Sequence, residues 1–289
     1  MLKIVSLKME TGVSFLKYHG LGNDFIVIDN LSSTRLALSP KACKKYCDRK
    51  LGIGADGVIF VLPGQQDCDY TMRMFNPDGS EAQMCGNGIR CLALFIRQHI
   101  CADTSLETMC KEYRIWTGAG IVVPEVLCDG KSVRVDMGSP KLTRSESVQA
   151  DDTEYKCTLV SMGNPHCIIF LTELQDDDPR VEKHGPLIEN NADLFPERTN
   201  VEFIQVLHEK ALCMQVWERG AARTLACGTG ACASVVAAIL TGQCRREDTI
   251  EVHLKHGCLQ ILWDIESDHV YMTGPATYVF EGHIPKSDV

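Results

Sequence analysis

One short cysteine motif occurs twice, as Met84-Cys85-Gly86-Asn87-Gly88 and as Ala226-Cys227-Gly228-Thr229-Gly230, about half the chain apart. Each copy runs directly into small and apolar residues at helical spacing. These are Ile89-Arg90-Cys91-Leu92-Ala93-Leu94-Phe95-Ile96 in the first and Ala231-Cys232-Ala233-Ser234-Val235-Val236-Ala237-Ala238-Ile239 in the second. The spacing predicts that each cysteine opens a helix. A thiol there lies beside unsatisfied backbone N–H groups and the positive end of the helix dipole, which predicts a pKa below the usual value of about 8.5. The Gly-Asn-Gly and Gly-Thr-Gly amides are anion cradles, and two of them face to face across a cleft would hold one carboxylate. The carbon next to that carboxylate then lies between two sulfurs. One thiolate removes its proton and the other cysteine, as thiol, donates a proton from the opposite face. The reaction read from the pair is therefore racemisation or epimerisation.

A single Cys-Gly-x-Gly usually marks no more than a helix start with an inert thiol, so the weight rests on the duplication. The repeat extends beyond the cysteines. Asn76 and Glu218 precede them at one common interval, and the pairs Gly22-Asn23 and Gly163-Asn164 at nearly another. Between them fall Gly54-Ala55-Asp56-Gly57 before Val58–Val61 and Arg198-Thr199-Asn200 before Val201–Val206, each a turn followed by a strand-like run. These matches predict a duplicated domain of about 130 residues, large enough to bury its own core. The halves are drawn at 14–138 and 139–272, with a C-terminal strand, 273–283, returning to the first.

Positioning the motifs falls mainly to strands. Short runs bounded by Gly, Pro, Asn or Asp read as strands at Phe25–Ile28, Val58–Leu62, Tyr70–Phe75, Gly120–Val123, Ser132–Met137, Cys167–Leu171, Val201–Val206, Leu212–Trp217, Leu259–Trp263 and Val270–Thr273. Helices are fewer: Ser39–Lys50, with Ser39 as N-cap and Pro40 at its first position, and the two behind the cysteines. Few helices among many strands give an α+β fold. The polar, poorly patterned stretch Arg144–Glu154 reads as a linker or surface loop.

A net charge of −9, with no long basic block, excludes nucleic acid and anionic membrane as natural partners. No apolar stretch approaches the roughly 18 residues of a membrane span, and Met1–Val13, with Lys3, Lys8 and Glu10, has no secretory core. The 15 cysteines include no Cys-x-x-Cys, so no metal site is expected. Their odd number points instead to free thiols, most of them core hydrophobes such as Cys43 and Cys47 on one helix face.

Six motifs in order then make the pattern specific: Tyr18-His19-Gly20-Leu21-Gly22-Asn23-Asp24-Phe25, Phe75-Asn76-Pro77-Asp78-Gly79-Ser80-Glu81, Met84–Cys91, Ser161-Met162-Gly163-Asn164-Pro165-His166-Cys167, Trp217-Glu218-Arg219-Gly220 and Ala226–Ala231. From Ser14 to Gly282 the chain resembles diaminopimelate epimerase, and Thr117–Glu125 resembles its plant and related bacterial branch. The resemblance implies two similar halves, each a curled, mainly antiparallel sheet around a central helix. It also implies cofactor-independent interconversion of LL- and meso-diaminopimelate in lysine biosynthesis. Cys85 and Cys227 match the catalytic pair, and Gly86, Asn87, Gly228 and Thr229 the amides holding the reacting carboxylate. Asn23, Asn76, Asn164, Asn200, Glu218 and Arg219 match the groups around the substrate, chiefly its distal amino-acid end, while His166 and Glu218 match residues that tune the thiols. A homodimer is implied, working in the cytoplasm or, in a plant, in the plastid stroma.

Arg offers a planar double donor to a carboxylate and Glu accepts from an ammonium, so the set suits a second zwitterion. That argues against a proline or hydroxyproline racemase-like enzyme; a non-catalytic amino-acid binder on the same cleft is the alternative from another class. Lys255-His256-Gly257-Cys258, Ala222-Arg223 and Gly57 depart from common family patterns.

Overall fold

The computed structural model describes residues 12–101 and 111–285. The residues before Gly12, where no secretory core is expected, lie outside these. The chain runs through β1 (Val13–Gly20), β2 (Asn23–Asp29), α1 (Pro40–Cys47), β3 (Gly57–Pro63), β4 (Tyr70–Phe75), β5 (Glu81–Ala82), α2 (Gly86–Phe95), β6 (Lys111–Glu112), β7 (Ile115–Thr117), β8 (Gly120–Val122), β9 (Glu125–Val126) and β10 (Ser132–Asp136). It continues through β11 (Lys141–Ala150), β12 (Thr153–Ser161), β13 (Pro165–Leu171), α3 (Pro179–Glu189), β14 (Asn200–His208), β15 (Ala211–Glu218), β16 (Ala222–Thr224), α4 (Gly228–Leu240), β17 (Ile250–Leu254), β18 (Gly257–Trp263), β19 (Val270–Pro275) and β20 (Thr277–Ile284).

The strands form two sheets. An eight-stranded sheet runs β20-β1-β2-β3-β4-β7-β8, with β5 beside β4. A twelve-stranded sheet runs β11-β12-β13-β14-β15-β17-β18-β19-β10-β9-β6, with β16 beside β15. Pairing is antiparallel except at β2–β3, β4–β7, β13–β14 and β15–β17. The fold is thus α+β, mainly sheet, with two halves of like design. The chain end returns: β20 pairs with β1, Leu16 opposite Glu281. β9 and β10 pack on α2 although they hydrogen-bond into the larger sheet through β19, so that sheet passes from one half to the other.

Each sheet is covered on both faces. α2 and α4 share one apolar core, while α1 and α3 close separate cores on the outer faces. α4 has the sequence Gly-Thr-Gly-Ala-Cys-Ala-Ser-Val-Val-Ala-Ala-Ile-Leu, without a charge, and is buried almost all round, as a central helix must be. Burying Val235 and Val236 stabilises it by roughly 1.5–3 kcal/mol each. α1 begins as its sequence predicts: the Ser39 side chain accepts from Ala42 N and Pro40 occupies the first turn, burying Cys43 and Cys47.

Two expectations fail. The stretch assigned to a linker belongs to the β11–β12 hairpin, nine residues of β11 pairing with β12; Ser145, Ser147 and Gln149 are exposed while Val148 and Ala150 point into the α3 core. The free-thiol reading holds for thirteen of the described cysteines and fails at Cys128, which is disulfide-bonded.

Candidate functional site

Both cysteines stand where the motifs put them. Cys85 is the N-cap of α2 and its sulfur accepts from Gly88 N at 3.4 Å; Cys227 is the N-cap of α4 and accepts from Gly230 N at the same distance. The two helix starts meet. Asn87 Nδ2 donates to Asn23 Oδ1 at 3.0 Å and to the Ala226 carbonyl at 3.2 Å, so a residue of one motif holds the residue just before the other cysteine. Met272 fills the space between them: a Cβ on Gly86 would stand 3.1 Å from its Cε and a Cβ on Gly228 3.0 Å from its Sδ. A side chain at either first helical position would have to displace the end of Met272 by a few tenths of an ångström.

Asn23 is set by a polar network: its Nδ2 donates to Asp56 at 2.8 Å, leaving Oδ1 to face Asn87 and Cys85, whose sulfur lies 3.9 Å away. Arg49 clamps Asp56 and Asp24 together at 2.6 Å each. Below, Arg90 is fully buried and donates to Asn87 Oδ1 at 3.0 Å, Gly86 O at 3.2 Å and Pro275 O at 3.3 Å. Those three acceptors carry its charge without a carboxylate, and they fix the start of α2 against the end of β19.

Around Cys227 the groups are more polar. Thr229 Oγ1 lies 3.5 Å from Sγ and accepts from Asn164 Nδ2 at 3.2 Å. Asn164 Oδ1 is 3.0 Å from His166 Nε2, and His166 Nδ1 is 2.7 Å from Glu202 Oε1. The Glu218 carboxylate accepts from Thr224 Oγ1 and lies within reach of the Cys227 sulfur.

The direction of the thiol pKa values corrects the sequence expectation. Burial pushes both Cys85 and Cys227 up and the Glu218 carboxylate adds to each, Cys227 rising the further because Glu202 acts there as well. The amides of Gly88 and Gly230 do favour thiolate, but they are outweighed. Glu218 is itself raised by burial. A helix dipole acts over one turn, whereas desolvation acts on the whole group.

The other sequence candidates form a second tier. Asn200 donates to Pro165 O at 2.9 Å and accepts from Arg219 N at 2.9 Å, joining β13 to the end of β15. The Arg219 side chain is exposed and rests on Glu197 O at 3.0 Å. Asn76 turns back on Ser80 at 3.0 Å and makes no described bond to the cysteine cluster. Glu218 sits at the thiols rather than beside Arg219. Sequence reasoning missed Asp56, Arg90, Glu202 and Met272; the signal available was a charge inside an apolar run, as at Arg90 and Glu202.

The architecture defines a class first. The chain superposes on a phenazine biosynthesis protein of the PhzF family from Bacillus anthracis with a TM-score of 0.72 at 17% identity, covering 95% of this chain and 99% of that one, a likeness of fold alone. The sequence is more particular. The diaminopimelate epimerase family model matches residues 15–143 and 158–279, and the chain belongs to that family. It is 53% identical to the diaminopimelate epimerase of Trichodesmium erythraeum (strain IMS101), covering 94% of this chain and 99% of that protein. It is 48% identical to the chloroplastic diaminopimelate epimerase of Oryza sativa subsp. japonica, covering 94% and 80%. No helix among the described residues is long and apolar enough to cross a membrane.

Proposed function

We propose that the protein interconverts LL- and meso-diaminopimelate, the epimerisation step of lysine biosynthesis, with Cys85 and Cys227 as the acid and base. The observation that carries this is the junction of the two capped helices: Asn87 bonds across to Ala226, so two anion-binding helix ends and two sulfurs serve one place. The substrate's reacting carboxylate sits on the amides of Gly86, Asn87, Gly228 and Thr229, whose dipoles favour negative charge. Its α-carbon then stands between the sulfurs. One sulfur takes the proton while the other returns a proton to the opposite face, and the roles exchange in the reverse direction.

In the substrate-free protein burial favours the thiol form of both residues, so ionisation belongs to the loaded site, where the substrate's ammonium supplies positive charge. Asn23, Asn76, Asn164, Asn200 and Arg219 are assigned to the substrate, Arg219 to its distal carboxylate, with His166 and Glu218 tuning the thiols. No cofactor takes part in this reading, because both proton carriers are side chains. The halves that close on the substrate are 14–138 with 273–283, and 139–272. A homodimer in the cytoplasm, or in the plastid stroma of a plant, completes the reading.

The experiment is direct: purified protein is incubated with LL-diaminopimelate and no added cofactor, and the product is resolved by chirality. Formation of the meso isomer is expected. No conversion, or conversion that needs pyridoxal phosphate, overturns the proposal.

A further inference from the structure

The duplicated design supplies an internal control, and at one buried position the halves differ in kind. β3 pairs in parallel with β2, and β14 with β13, so that Phe25 lies opposite Gly57 where His166 lies opposite Asn200. Two residues further along β3 and β14 stand Ile59 and Glu202. Both face the third residue of a cysteine helix: a Cβ on Gly88 would meet Ile59 Cδ1 at 3.1 Å, and a Cβ on Gly230 would meet Glu202 Oε1 at 2.5 Å and Cys227 Sγ at 3.2 Å. An apolar side chain thus backs Cys85, where a carboxylic acid backs Cys227.

Glu202 is 0% exposed, as is the His166 side chain it bonds. One of its carboxylate oxygens, a His166 ring nitrogen and the Cys227 sulfur lie within 4.8 Å of one another, while its Oε2 has no hydrogen-bond partner. The bonds that leave His166 are directional. Asn164 Nδ2 donates to Thr229 Oγ1, so Asn164 Oδ1 must accept, and His166 Nε2 carries the hydrogen it accepts. Thr229 Oγ1, which accepts from Asn164, also lies in hydrogen-bond contact with the Cys227 sulfur. The titratable groups facing this cluster are His166 and Cys167 on β13, Glu202 on β14, Glu218 on β15 and Cys227 before α4.

We propose that Glu202 is a positioning residue for Cys227 alone: through His166, Asn164 and Thr229 it fixes the hydrogen bonds at that sulfur, and its buried carboxylate stands against the place where a negative sulfur would form. At Cys85 Ile59 and Phe25 occupy the matching places, and the carboxylate that reaches that sulfur is Glu218, which the two cysteines share. The inference rests on the acid–base reading of the two cysteines. Its first test needs no substrate, so the two can fail separately.

The rate of iodoacetamide labelling of each cysteine, resolved by peptide mass spectrometry, is followed against pH in the full-length protein and in Glu202→Gln and Glu202→Asp. Removing a charge at this distance is worth more than one pKa unit at an effective dielectric of about 20, so Cys227 in Glu202→Gln should label at least about tenfold faster near pH 7. The Cys85 profile stays in place and reports an intact fold, and Glu202→Asp, which keeps the charge, stays near the parent. With diaminopimelate, Glu202→Gln lowers kcat and leaves KM unchanged. A Cys227 profile that does not move, that moves to higher pH, or that moves together with that of Cys85 overturns the inference. Selective movement in a protein that does not epimerise diaminopimelate upholds it and removes the substrate reading instead.

Discussion

Replacing Asn87 with alanine removes a side chain that ties the two cysteine helices together, and the cost follows from its bonds. Two neutral hydrogen bonds disappear, to Asn23 Oδ1 and to the Ala226 carbonyl, at about 1 kcal/mol each. The third partner matters more. Arg90 Nη2 loses its acceptor inside a site with no exposure, which adds about 1–3 kcal/mol for an unpaired buried donor. The sum, about 3–5 kcal/mol, lies at the upper end of single substitutions. With an m-value of about 3 kcal/mol per molar, the urea midpoint should fall by about 1–1.7 M. Asn87→Asp separates the contributions: it keeps an acceptor for Arg90 but offers no donor to Asn23 or Ala226. It should lose only the roughly 2 kcal/mol of those two bonds, and with them epimerase activity, because they set the spacing of the helix ends. An alanine variant within about 0.5 kcal/mol of the parent would refute this reasoning and show that the junction is held elsewhere.

Arg219→Met should raise KM for diaminopimelate by about 30-fold or more while kcat changes little, since a charged hydrogen bond to the distal carboxylate is worth about 2–3 kcal/mol; equal kinetics in steady-state assays would remove Arg219 from the site. Gly230→Ala should cost about 1–3 kcal/mol and most activity, because the new methyl meets a buried carboxylate at 2.5 Å; Gly88→Ala, which meets the movable end of Ile59 at 3.1 Å, should cost distinctly less in thermal melts. Asp178 caps α3 and is held by Arg180, which with backbone N–H groups lowers its pKa from 3.8 to about 2. Its folded value lies below its unfolded one, so its stabilisation is complete above about pH 4 and disappears as pH falls through about 2. Asp178→Asn should therefore lose about 2 kcal/mol at pH 7 and almost nothing at pH 2, as read by urea unfolding at each pH.

The parts of the site legible in the sequence are those made by local chemistry. Cysteine followed by two-glycine motifs and small apolar residues reads as a capped, buried helix because cap, turn and core face lie within a few residues. Ser39-Pro40 reads as a helix start for the same reason. α3 escaped because Gly185 and Pro186 look like breakers; there the glycine admits Trp217, whose ring would crowd a Cβ at 2.6 Å. β11 escaped because its residues are mostly polar, and only its partner β12 makes it a strand. The direction of the thiol pKa values was misread for a related reason. The helix dipole is visible from sequence, but the burial that opposes it and the Glu202 carboxylate that adds to it come from tertiary packing, Glu202 from β14, well before the second motif along the chain. Glu202 lay hidden in an apolar strand whose two faces are both buried, Val201 and Phe203 against α3 and Ile204 toward the central core.

Hydrogen exchange at the α-carbon in heavy water, followed with Cys85→Ala and Cys227→Ala, tests the two-base claim most directly. Each variant keeps one sulfur on one face, so each should exchange the α-hydrogen of only one stereoisomer, opposite between the two variants, with inversion reduced at least about a hundredfold. Exchange of the same stereoisomer by both variants, or inversion by either at more than about a hundredth of the parent rate, would contradict it.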